Sequence, residues 1–88
     1  MDFGEAETQL QREGFSNIYV WQDGAEVFYP DHTHEKHTAH IILDGEMKLI
    51  IDGQSTTYYA GDRCDIAPGV VHSAIMGPHG CRYVVGEK

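Results

Sequence analysis

The sequence predicts an all-β domain whose strands close into a barrel or sandwich. Two observations carry this reading. Short runs of β-branched and aromatic residues recur along most of the chain, as in Ile18-Tyr19-Val20-Trp21 and Val27-Phe28-Tyr29. Between such runs stand the dipeptides Asp23-Gly24, Asp44-Gly45 and Asp52-Gly53. Asp-Gly suits a type I′ hairpin turn, in which both central residues need positive φ. Roughly eight short strands at close spacing read as a sandwich or barrel. Closure removes exposed edges and creates an interior on which side chains converge.

Each element follows from local pattern. Residues 5–13 form the one helical stretch, with Ala6 and Leu10 four apart and Gly14 as a stop. Strands are then expected at Ile18–Trp21, Glu26–His32, Thr38–Leu43, Glu46–Ile51, Thr56–Tyr59, Arg63–Ile66, His72–Met76 and Cys81–Val85. Gly77-Pro78-His79-Gly80 reads as a turn. This organisation divides the chain into an N-terminal segment, residues 1–14, and a β-barrel domain, residues 15–88.

Length and charge exclude several classes. With 88 residues there is room for one domain and a modest core, which benefits from a metal, a disulfide or a partner subunit. Cys64 and Cys81 make no disulfide framework and no Cys-x-x-Cys knuckle, and Cys64 alternates with Ile66 as a small core residue. Fourteen acidic residues against six basic ones give a formal charge of -8, which repels nucleic acid. No apolar run approaches the length that spans a membrane. The acidic N-terminus lacks the pattern of a signal peptide, so a cytoplasmic, reducing setting is the expectation.

The residues that carry chemistry are histidines. His32 and His34 are two apart, which on an extended strand puts both imidazoles on one face. Parity extends the argument to Thr38, His40 and Ile42, which share one face of their strand. His72 follows Pro68-Gly69-Val70-Val71, and a Pro-Gly turn is a rigid device for delivering a side chain. Four imidazoles could thus line one cavity and hold one divalent transition metal (Zn, Ni, Fe, Mn or Cu), since neutral nitrogen ligands suit all five in differing degree. His37 is a loop residue that could replace His40, but is read as solvated. His79 is assigned no role. Tyr29, Trp21 and Tyr83 are read as core or interface, and Arg63 as an outward residue paired with an acidic neighbour.

These motifs resemble those of the cupin superfamily. The first cupin motif is a His-x-His pair, then a glutamate, then a glycine, matched here by His32-Thr33-His34 and Gly45. The second is a glycine, a strand, a Pro-x-Gly turn and a histidine, matched by the stretch from Gly61 to His72, in which Ala67 replaces the first proline. The resemblance implies a double-stranded β-helix (jelly-roll) barrel, often dimeric, with one divalent metal in its mouth. It implies that His32, His34 and His72 are ligands. The glutamate position falls on Thr38, a poor ligand, which leaves His40 or His37 to replace it. No catalytic residue is assigned. The expected activity is binding of, or oxygenase or isomerase action on, a small oxygenated molecule. A ligand-binding barrel without turnover and a metal-stapled structural barrel are the competing readings. A homodimer is expected, with the first strand or the region around Trp21 at the interface, because apolar strand residues on so small a barrel need cover.

Overall fold

The computed structural model describes residues 1–88. One helix, α1 (Phe3–Arg12), precedes six strands: β1 (Ser16–Asp23), β2 (Phe28–His32), β3 (Thr38–Ile51), β4 (Gln54–Tyr59), β5 (Arg63–Ile66) and β6 (His72–Glu87). Asp2 caps the helix by accepting from the Glu5 N–H at 2.9 Å. Gly14, with φ of 89°, turns the chain out of it, as its sequence position predicts.

The long strands β3 and β6 pair antiparallel from Thr38↔Glu87 to Ile50↔Ser73. Every other strand attaches to one half of this pair. The first half of β3 carries β5, and the second half of β6 carries β1. The second half of β3 carries β4, and the first half of β6 carries β2. The result is two four-stranded layers, β1-β6-β3-β5 and β2-β6-β3-β4, sharing bent central strands: a jelly-roll barrel.

The bend corrects the predicted strand boundaries. Asp44-Gly45 and Gly77–Gly80 are not turns; both lie inside continuous strands of 14 and 16 residues. The register slips between Ile42 and Asp44 and again between Gly45 and Met47. Such bulges let one strand turn a barrel corner without ending. Gly45 (φ 79°) sits where an added Cβ would lie 2.1 Å from the Gly80 carbonyl oxygen, so only glycine allows this approach. Asp52-Gly53 is the expected turn, with φ of 52° and 75°.

Two cores result. Ile42, Met47, Leu49, Ile66, Met76 and Tyr83 fill the barrel interior. On the opposite face of the first layer, Ala39, Ile41 and Val84 pack under Ala6 and Leu10 of α1 and Phe15. The helix is therefore a lid on the outer face of β3 and β6. Arg63 pins it there, donating to the Glu13 carboxylate at 2.7 and 2.9 Å and to Asp65 at 2.7 and 3.0 Å. Cys64 and Cys81 are buried free thiols, each pushed up to about 12 by burial. No helix is long and apolar enough to cross a membrane.

Gly45→Ala is expected to cost on the order of 3 kcal/mol, or to abolish folding, because its Cβ meets backbone rather than a yielding side chain. Gly53→Ala, where nothing lies within 4 Å, should cost only about 1 kcal/mol. Urea unfolding midpoints check the contrast.

Candidate metal centre

Three histidines converge at one end of the barrel interior. His32 closes β2 and His72 opens β6, and the two are directly paired across the ladder. Their rings lie 4.1 Å apart between centroids. His34 follows β2 in a loop held from the other side, because its carbonyl accepts from the Gly69 N–H at 3.0 Å. That bond ties the loop to the Pro68-Gly69 turn, so the turn positions both His34 and His72. One ring nitrogen from each of His32, His34 and His72 lies within 4.8 Å of the other two.

The hydrogen bonds fix which nitrogen is available. His32 Nδ1 lies 2.7 Å from the Pro30 carbonyl oxygen, and His72 Nδ1 lies 3.0 Å from that of Val70. A carbonyl only accepts, so each Nδ1 carries the proton and each Nε2 keeps a free lone pair. Burial, reinforced by His72 and His32, lowers the pKa of His34 and favours its neutral form. Neutral imidazoles with preset tautomers are the ligand form that zinc and its neighbours require. The donor set therefore fits a divalent transition metal.

His40 is not among the clustered nitrogens. It lies on β3, lines the same cavity and packs 5.7 Å from the Tyr83 ring. Its Nδ1 is buried without a hydrogen-bond partner. Burial, then the charges of His34 and His72, push its pKa down to about 4. Thr38, on the same face, spends its hydroxyl on the Lys36 carbonyl at 3.2 Å. His37 turns away from the cavity: its Nε2 meets Asp65 at 2.8 Å and its ring packs against Phe15. His79 is exposed on β6.

The histidines open onto a cavity of about 630 Å³. Its remaining walls are mostly apolar, with Met47, Leu49 and Met76 beside Tyr29, Trp21 and Tyr83. Sequence reasoning missed Asp23, which it took for half of a turn dipeptide. Asp23 is buried and accepts from Tyr29 at 2.8 and 3.0 Å, from Tyr83 at 2.7 Å and from Trp21 Nε1 at 3.0 Å. The available signal was an acidic residue ending an apolar run, which a turn explains equally well.

With fold and site in view, a family model described as "Cupin domain" matches residues 18–85. The chain belongs to the cupin family. It is 35% identical over 57 residues to the quercetin 2,3-dioxygenase of Bacillus subtilis, a stretch covering 64% of this chain and 17% of that enzyme. The chain thus spans about a sixth of that curated relative's length. Among solved structures, the DMSP lyase DddQ of Ruegeria pomeroyi superposes with a TM-score of 0.73 at 24% identity, covering 81% of this chain and 36% of that one. A cupin-2 domain protein of Shewanella frigidimarina gives 0.70 at 21% identity, covering 80% and 67%. These structural likenesses share the fold.

The metal-free protein should lose stability on acidification in a defined window. His40 has a folded-state pKa of about 4 against an ordinary 6.5, so between these values the unfolded chain binds the proton and the folded one does not. Its contribution is complete above pH 6.5, falls as pH drops towards 4, and amounts to at most about 3 kcal/mol. Urea unfolding of metal-free wild type and His40→Phe across this range should show a steeper loss in wild type.

Proposed function

We propose that this cupin holds one divalent transition metal through His32, His34 and His72 and uses the adjoining cavity to bind and transform a small oxygenated molecule. The observation that carries the reading is the pairing of tautomer-fixed imidazoles with an open cavity beside them. A purely structural metal clip would have a closed coordination sphere and no adjacent space. When bound, such a metal supplies Lewis-acid or oxygen-activating chemistry at its open positions. The chain's own residues do the rest. Pro30 and Val70 hold the imidazoles in register through their carbonyls. The apolar wall favours an apolar ligand, and Glu87 is the one carboxylate among the residues that line the cavity. The named activity of the Bacillus subtilis relative supports an oxygenase over an isomerase.

His40 is assigned to the same centre. The residue lines the cavity shared with the three clustered histidines, so its ring serves as a fourth nitrogen ligand or as hydrogen-bond partner to an oxygen bound there. Protein purified without chelator or affinity tag should contain about one equivalent of metal by elemental analysis. His32→Ala and His72→Ala should abolish stoichiometric binding. His40→Ala should weaken affinity about 10–100-fold while keeping a single site. Protein that binds no metal even after reconstitution would sink this reading; oxygen uptake with hydroxylated substrates tests turnover.

A homodimer through β1 completes the proposal. This strand pairs only with β6 and leaves its other edge free. Tyr19, Val20 and Trp21 on it are 49%, 42% and 51% exposed. An apolar edge strand is a liability unless another chain covers it. A second copy is the occupant that a self-complementary antiparallel edge favours. Sedimentation should give twice the chain mass, and Val20→Lys should shift the protein to monomer.

A further inference from the structure

We infer that the wall formed by Tyr29 and Tyr83 over Asp23 is a recognition subsite for a hydrogen-bond donor, selecting uncharged ligands that carry a hydroxyl group on an apolar body. The inference rests on the reading of the cavity as a small-molecule site.

The argument is an accounting of protons. A tyrosine hydroxyl has one hydrogen to donate and two lone pairs to accept with. Tyr29 gives its hydrogen to Asp23 at 2.8 Å, and Tyr83 gives its own at 2.7 Å. Trp21 spends its single indole N–H on the same carboxylate at 3.0 Å. Every donor of this cluster is thus directed at Asp23, and what remains is acceptor capacity on the phenol oxygens, which at Tyr29 is shared in part with the adjacent Tyr83 hydroxyl and Trp21 N–H. Burial, and then the bond to Asp23, raises the pKa of both tyrosines, so neither releases its proton in the ordinary range.

All three aromatic residues line the cavity that holds the histidines. The Tyr29 ring centroid is 6.3 Å from that of His32, and Tyr83 is 5.7 Å from His40. One small ring with its substituents can therefore reach both groups. The ligand's body meets Met47, Leu49 and Met76, which favour an apolar surface. A carboxylate or phosphate at this wall would face acceptors alone, next to the buried Asp23 charge in a protein of net charge -8. A ligand lacking the donor leaves the phenol oxygens unmatched, the kind of penalty from which polar sites draw discrimination. An N–H donor presents the same chemistry as a hydroxyl.

The chain's one tryptophan, Trp21, is in the cluster and reports occupancy through its fluorescence. The probes are 4-methoxyphenol and 1,4-dimethoxybenzene, titrated into zinc-loaded protein. The expected result is 4-methoxyphenol binding about tenfold more tightly than 1,4-dimethoxybenzene. Tyr29→Phe and Tyr83→Phe should each shrink this ratio towards one through weaker phenol binding, while zinc stoichiometry stays unchanged. If Tyr83→Phe does not fold, the partly exposed Tyr29 supplies the test alone. The preference should survive in His72→Ala. Equal binding of the phenol and its ether would overturn the subsite and leave the cavity reading standing. A preference that persists in the tyrosine variants, or vanishes in His72→Ala, would also overturn it. Binding of no probe would sink both.

Discussion

The close approach of β3 and β6 at Gly45 and Gly80 is the constraint on which the rest of the molecule depends. An ideal Cβ at Gly45 would lie 2.1 Å from the Gly80 carbonyl oxygen, and one at Gly80 would lie 2.4 Å from the Asp23 carbonyl oxygen. Three backbones therefore meet where side chains cannot fit. At this corner the inward face of β3 passes from Ile42 to Met47, and that of β6 from Met76 to Cys81, as members of one core. Each step is an odd number of residues, so the parity of inward positions inverts on both strands together. The matched inversions let two long strands serve both layers while every inward residue stays inward. They also explain why β6 contributes His72 near one end and Tyr83 near the other to a single cavity.

The histidine end of the cavity depends on a second, more local arrangement. Histidine is adaptable, and two imidazoles on neighbouring strands are free to rotate away from one another. Here the backbone removes that freedom. The Pro30 and Val70 carbonyls each hold an Nδ1–H two residues along, setting ring orientation and tautomer together. The bond between the Gly69 N–H and the His34 carbonyl adds the third ring. Burial, and then the neighbouring His72 and His32, disfavour protonating His34.

Much of this was legible in the chain, for reasons specific to each part. The shared face of His32 and His34, and the Pro68-Gly69 turn before His72, followed from spacing and turn chemistry because both are short-range, whereas the joining of His72 to that pair followed from the resemblance to the cupin motifs. The parity that put Thr38, His40 and Ile42 on one face also held, since all three contribute to the interior or its cavity. Continuity of the strands through Asp44-Gly45 and Gly77–Gly80 was not legible. An Asp-Gly pair is chemically the same in a turn and in a bulge, and only the facing strand decides between them. Reading Asp44-Gly45 as a turn left the shared face of Thr38, His40 and Ile42 unaffected, because that parity is counted within one stretch of strand before the bulge. Convergence of His40 with the other histidines was a matter of a few ångströms, below what strand parity resolves. The role of Asp23 depends on Tyr83, sixty residues away. No local pattern carries that pairing.

The cavity's electrostatics follow from the same architecture. At one end, the Nε2 lone pairs of His32 and His72 point away from their bonded carbonyls; at the other, two phenol oxygens have given their hydrogens to Asp23. Both ends are electron-rich, and the space between them is apolar. Such a cavity is incomplete by itself, because unmatched acceptors in a low-dielectric interior are costly. A cation at the histidines relieves one end, and a neutral donor at the tyrosines relieves the other. The two requirements fall on different walls of one cavity, so a cation at the histidines and a donor at the tyrosines would be accommodated independently.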